Sequence, residues 1–378
     1  MTVWERSMAS QFPEMAAPIA LARTEPAAPE AATQPWPAVA EIGGKLEITE
    51  RGPLVLLFYD GYELKARPGL AGAAYSQGRR LARYIYRSAR RRQVRTGFYT
   101  AFLSLCQSLR LVGCDVRVND FGALRNRPHY PIGLCGYPSV LAHVAGDNPV
   151  IFGHGDFGLP EAASVIAAQD RMRILVQPCE WACAFNRPYC GDKLRAFPVG
   201  VDSAQWNLPK TAKTYDFLVY DKLRWHRDER VPAIRDRLIE SLAARGHSVT
   251  VLQYGAHPQE AYRRALAASR ALLFLCEHET QGIAYQEALA AGVPVLAWDE
   301  GELVDPNLRR YAPDLTVTSV PYFDERCGMR FTLETFEPVA EQFWAAIDRF
   351  RPRDYVDERL SMQRAGRDYL SLYSSIAD

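Results

Sequence analysis

No stretch of this chain is an unbroken apolar run of 18 residues, so no helix that crosses a membrane is expected. Neither sign of charge is in excess: 45 Lys and Arg stand against 44 Asp and Glu, a formal net charge of +1. A domain-wide basic bias of the kind that binds nucleic acid is therefore missing, and no nucleic-acid partner is expected. The eight Cys include no C-x-x-C pair, and no secretory leader is expected, since residues 1–45 lack an unbroken apolar stretch. Reduced thiols in a cytoplasmic protein are the simplest reading. Cys179, Cys183 and Cys190 lie close together, but no fourth ligand stands at zinc spacing, so no metal site is expected. Residues 1–45, rich in Ala and Pro as in Pro26-Ala27-Ala28-Pro29, lack a hydrophobic period and are expected to be a disordered tail.

What is present suits an α/β protein. The chain's 378 residues are enough for two domains with full cores. Short apolar runs that read as buried strands recur: Pro53–Tyr59, Pro149–Phe152, Ile174–Pro178, Asp216–Tyr220, Ser248–Leu252 and Ala271–Cys276. The last leads into His278-Glu279-Thr280-Gln281-Gly282-Ile283-Ala284-Tyr285-Gln286-Glu287, then Gly292 and Pro294. This reads as strand, polar loop, helix opening at Gly282 and Ile283, and strand again, with Gly292 and Pro294 as the helix stop. Ligands in such sheets bind beyond the carboxyl ends of the strands. Glu279 and Glu287, eight residues apart, can face one crevice there. The bland alternative is a helix-start charge and a solvated helix residue.

The stretch Glu279 to Pro294 resembles the E-x7-E segment of family 4 retaining glycosyltransferases, usually E-G-F-G-x-x-x-x-E-A-M/L-A-x-G-x-P-V. Both Glu, the second Gly and the tail are kept; Thr280 and Gln281 replace Gly and Phe. Other pieces of the family pattern occur in order. Gly97 sits before a helix expected over Thr100–Leu111, where the family has a Gly loop. His154, between two glycines at a strand end, is expected to be exposed to the crevice, where a family His touches the donor sugar. Gly200-Val201-Asp202 match the interdomain signature. Asp221-Lys222-Leu223-Arg224-Trp225-His226-Arg227 stands where the family has G-R-L-x-x-x-K, with Lys222 in the Arg place and Arg227 in the Lys place. Arg224 competes with them, and a solvated basic loop is the bland reading. Gly255 stands at the family's turn near the nucleotide base.

The resemblance implies a glycosyltransferase-B architecture: two doubly wound Rossmann-like domains, 46–202 for the acceptor and 203–355 for the nucleotide sugar, facing across a cleft. A C-terminal helix from about Val356 is expected to cross back to the first domain. It implies transfer of a sugar from a nucleotide-sugar donor to a glycan or lipid-linked acceptor with retention of configuration, and no metal or other cofactor. Lys222, Arg227, Glu279 and His154 would be the catalytic set. Gly97, Gly255, Gly282, Ile283 and Glu287 would bind the donor. A nucleotide-sugar epimerase of the same architecture, or a module that only binds a nucleotide sugar, remain alternatives.

One segment lies outside this pattern. Arg79, Arg80, Arg83, Arg87, Arg90, Arg91, Arg92 and Arg95 crowd into 17 residues. Leu81, Ile85 and Ala89 recur at helical spacing and would form an apolar stripe. Either this is a solvated helix docked on the core by its stripe, or it meets an anionic partner such as the inner face of the membrane, with Tyr84 and Tyr86 at the interface.

Overall fold

A computed structural model of the chain describes residues 44–89, 96–209 and 211–377. The expected tail and Arg90, Arg91, Arg92 and Arg95 lie outside the described residues, as do the side chains of Tyr84, Ile85, Arg87 and Ala89.

Two parallel sheets carry the fold. The first comprises β1 (Ile48–Thr49), β2 (Gly52–Asp60), β3 (Asp115–Val118), β4 (Ile132–Gly136), β5 (Val150–Gly155), β6 (Met172–Gln177) and β7 (Leu194–Ala196). Its order is β3-β2-β4-β5-β6-β7, all parallel, with β1 folded back antiparallel on β2. The second comprises β8 (Tyr215–Asp221), β9 (Val249–Gln253), β10 (Ser269–Leu275), β11 (Val295–Trp298) and β12 (Gly328–Phe331), all parallel in the order β9-β8-β10-β11-β12. Both sheets are doubly wound. In each, the first connection runs to one edge and the chain then returns past its starting strand. The connections therefore diverge between β2 and β4, and again between β8 and β10, and the crevices of such sheets open at these switch points.

The central strands are apolar because helices cover both faces of a parallel sheet. Leu54 to Tyr59 and Ala271 to Leu275 are fully buried. The site depends on six helices: α1 (Gly69–Ala89), α2 (Gly97–Leu111), α3 (Glu180–Cys190), α4 (Ile283–Ala290), α5 (Pro352–Arg359) and α6 (Met362–Ser375). α2 begins at Gly97 and not at Thr100, because the Thr96 hydroxyl accepts from the Tyr99 N–H at 3.3 Å and caps the helix there.

The C-terminal crossing comes later than Val356. Tyr355 and Val356 of α5 are buried with Trp206 and Tyr285 beneath the second sheet. The chain crosses at Leu360 and Ser361, where the Leu360 carbonyl accepts from the Val201 N–H at 2.8 Å and Ser361 bridges to Val201. Ser361 then caps α6. Tyr369, Leu370 and Tyr373 of α6 join Val55, Leu57, Tyr59 and Phe102 in the core of the first sheet. Gly200 is required at this junction, since a Cβ there would lie 2.6 Å from the Met362 Cα.

Of the expected stripe on α1, only Leu81 falls among the described side chains. Leu81 is 61% exposed, and Arg79 and Arg80 are exposed beside it. Arg83 turns inward instead, 3.7 Å from Glu63 and over the Tyr62 ring at 5.1 Å.

The Tyr373 hydroxyl donates to the Pro131 carbonyl and accepts from the Leu56 N–H at 3.0 Å. Tyr373→Phe leaves both buried groups unpaired, and a loss of about 1–3 kcal/mol in urea unfolding is expected. An unchanged midpoint would show that α6 contributes only apolar contact.

Candidate active site

At the switch point of the second sheet three strand ends converge. Beyond β8 come Lys222, Leu223, Arg224 and Trp225; beyond β9 come Tyr254 and Gly255; beyond β10 comes the loop Cys276 to Gly282. Backbone bonds lock these ends together: the Lys222 N–H donates to the Leu275 carbonyl and the Tyr254 N–H to the Asp221 carbonyl, each at 2.8 Å.

Three carboxylates are buried here, and each has its own partners. Asp221 takes Arg227 through two bonds, 2.9 and 2.8 Å, and Arg235 at 3.1 Å. Glu277 accepts from the N–H groups of Arg224 and Trp225 and lies 3.6 Å from Arg230. Glu279 forms an ion pair with the Lys222 ammonium and accepts from the Cys276 thiol at 3.4 Å. Burial by itself raises the Glu279 carboxyl, but Lys222 and then Arg224 outweigh it and hold the group below its ordinary value. Burial depresses Lys222 in the same way, and Glu279 together with Cys276 and Tyr254 outweighs that and raises it. Both partners are ionised at neutral pH.

This geometry separates the expected cations. Lys222 lies at the switch point, its ammonium 4.5 Å from the centre of the Tyr254 ring. Arg227 is committed to Asp221 and to the Leu223 carbonyl. Asp221 stands where the family pattern has Gly, and it is the reason. Arg224 has no carboxylate partner among the described residues. Its guanidinium donates to the His278 carbonyl at 2.7 Å and lies over the Trp225 ring at 4.3 Å.

Gly282 caps α4 with φ +75°, and a Cβ there would lie 2.0 Å from the Tyr285 ring, so only glycine fits. No side chain caps this helix, and its first N–H groups, beginning at Ile283, have no intrahelical partner. One turn on, Glu287 is half-buried beside Tyr220 and Tyr262. Burial pushes its carboxyl up to about 8, against a smaller pull from Arg263. Gly255 has φ +76°, with open space where a Cβ would be. Gly97, the first residue of α2, also faces open space.

His154 is not exposed. β5 continues to Gly155, so the ring is 3% exposed and packs 5.4 Å from the ring of Phe197. Burial lowers it to about 3, so the ring is neutral, and its Nε2 has no partner among the described residues.

The two sheets touch through this loop. The Trp181 indole N–H of α3 donates to the Glu279 carbonyl at 2.8 Å, the Val199 N–H donates to the Gln281 side chain at 3.1 Å, and the Tyr322 hydroxyl donates to the Pro178 carbonyl at 2.5 Å. Gln281, in the family's Phe place, is thus a polar link between the halves, and its amide is further tied to Gln286 at 2.8 Å. The sequence carries no local sign of Trp181 as a partner, since the contact joins segments far apart in the chain.

No family model matches the chain, and no curated protein matches it in sequence. Several solved structures are similar. The lipopolysaccharide outer core galactosyltransferase WaaB, in its apo form, is 10% identical over 85% of this chain and 99% of its own, with a TM-score of 0.49. Sucrose-phosphate synthase from Thermosynechococcus elongatus is 13% identical over 85% of this chain and 98% of its own, also at 0.49. TarM is 12% identical over 64% of this chain, with a TM-score of 0.42, and the match covers 54% of TarM, so this chain spans about half its length.

The Glu287 proton has a consequence for stability. The folded chain holds it up to about pH 8, whereas an unfolded chain releases it near the ordinary carboxylate value of about 4. This group's contribution is therefore whole below about pH 4 and is lost as pH rises through 8. Urea midpoints at pH 5, 6.5 and 8 are expected to fall more steeply for the wild type than for Glu287→Gln. Parallel profiles would mean that Glu287 is hydrated and ionised.

Proposed function

We propose that this protein is a glycosyltransferase. It moves a sugar from a nucleotide-sugar donor to a glycan or lipid-linked acceptor, with retention of configuration and without a metal. The observation that supports this reading is the meeting of Lys222, Arg224 and Glu279 at one switch point, beside the start of α4, with Glu287 one turn into that helix near Tyr220. Lys222 and Arg224 would hold the diphosphate. Negative charge grows there as the glycosidic bond breaks, and fixed cations in a partly dry site stabilise that change. Glu279 would accept from sugar hydroxyls. Glu287 would accept from the ribose diol once its own proton is displaced. The N–H groups from Ile283 onward favour a phosphate oxygen. The acceptor would sit over the first sheet, near Gly97, and attack on the face that the diphosphate leaves. That diphosphate would take the acceptor's proton, so no protein base is needed and a neutral His154 suffices as a neighbour.

The test is a thermal-shift screen against UDP-, GDP- and ADP-sugars, followed by product analysis. A donor at 100 times its dissociation constant is expected to add about 2.7 kcal/mol of stability. The absence of a shift with every donor overturns the reading. Isomerisation of the donor without an acceptor would point to the epimerase.

Placement at the inner face of a membrane is part of the proposal. Arg79 and Arg80 are exposed on α1 next to the exposed Leu81 and Tyr86. Each Arg near an anionic leaflet adds about 1 kcal/mol. Flotation with anionic vesicles is expected at low salt and is lost at high salt. Arg79→Gln with Arg80→Gln weakens it. A wild type that ignores such vesicles has a soluble acceptor.

A further inference from the structure

We infer that the Glu279 carboxylate takes the diphosphate's place on Lys222 until a donor binds, and that the donor enters by exchange. The phosphates take Lys222, and Glu279, released, turns to the sugar hydroxyls. This rests on the glycosyltransferase reading and goes beyond it, because it makes one residue discriminate between the donor and the spent nucleotide.

The argument is one of partners. Lys222 and Glu279 are only 12% and 9% exposed and are paired with each other. The neighbouring acids give Lys222 no other anion, because Asp221 is occupied by Arg227 and Arg235, and Glu277 by Arg230 and two backbone N–H groups. Arg224 stands close enough to Glu279 to lower its carboxyl, yet its hydrogen bond goes to the His278 carbonyl. The site therefore holds two cations and one carboxylate in the place where a diphosphate would go.

When a diphosphate draws Lys222 away, Glu279 retains the Cys276 thiol at 3.4 Å, a weak donor. A buried carboxylate left with so little is costly. A sugar carries hydroxyls that replace the lost donors, whereas a bare nucleoside diphosphate does not. The intact donor satisfies both partners of the broken pair, and the spent nucleotide satisfies one. After transfer, Glu279 reclaims Lys222 and the nucleoside diphosphate is displaced.

The experiment is calorimetric titration of the full chain with UDP, GDP and ADP and with UDP-glucose, GDP-mannose and ADP-glucose. The wild type is expected to bind the cognate nucleotide sugar more tightly than its diphosphate. In Glu279→Gln the competing charge is gone. The diphosphate is expected to bind at least tenfold more tightly than to wild type, and the preference for the intact sugar is expected to collapse. Glu279→Asp keeps the charge but pulls it back from Lys222. It is expected to move the same ratio in the same direction by less, and it serves if the Gln variant does not fold. If wild type binds none of the six, the glycosyltransferase reading itself falls. If wild type binds but neither variant gains affinity for the diphosphate, the exchange is wrong and Glu279 only braces the loop.

Discussion

A parallel sheet ends in a crevice at its switch point, and here the crevice of the second sheet is lined with carboxylates that water barely reaches. Asp221, Glu277 and Glu279 are each buried, and a buried charge persists only with a partner. The segment from Lys222 to Arg235 supplies those partners. Arg227 and Arg235 neutralise the acid at the end of β8, and Arg230 faces the acid beyond β10. The basic stretch after β8 is thus mostly internal scaffolding. Lys222 pairs instead with Glu279 at the mouth of β10, and Arg224 has no carboxylate partner among the described residues.

The same loop joins the two halves of the protein. Glu279 presents its side chain to Lys222 and its carbonyl to Trp181, while Gln281 reaches the backbone beyond β7. A rearrangement that frees Glu279 therefore pulls on the first sheet as well. Gln281 ties the halves together through hydrogen bonds, which are directional.

Much of this was legible in the residues. β2, β8 and β10 are apolar runs of the right length, and the helix between Gly282 and Gly292 announces itself by its boundaries. β4 was not legible. Its sequence, Ile132-Gly133-Leu134-Cys135-Gly136, lacks the composition of a strand, because Gly133 is set by distant packing: a Cβ would lie 2.4 Å from the Tyr369 hydroxyl and 2.5 Å from Leu57. The strands β7 and β12, of three and four residues, are too short to show a hydrophobic period. Motif spacing does not reveal that Asp221, six residues earlier, pairs with Arg227, or that Lys222 pairs with Glu279. His154 was expected in the open because glycines flank it, yet the strand continues through it and carries the ring under Phe197.

The crossing of α6 also sets an order in time. Chains usually settle from their N-terminus as they are made. Here Tyr369, Leu370 and Tyr373, which close the core under β2, are made after the whole second sheet. At about 5–20 residues per second, the first sheet waits on the order of ten seconds or more with that face covered by α2 alone. The second half can finish before the first. The core under β2 therefore closes only once Tyr373 has been made.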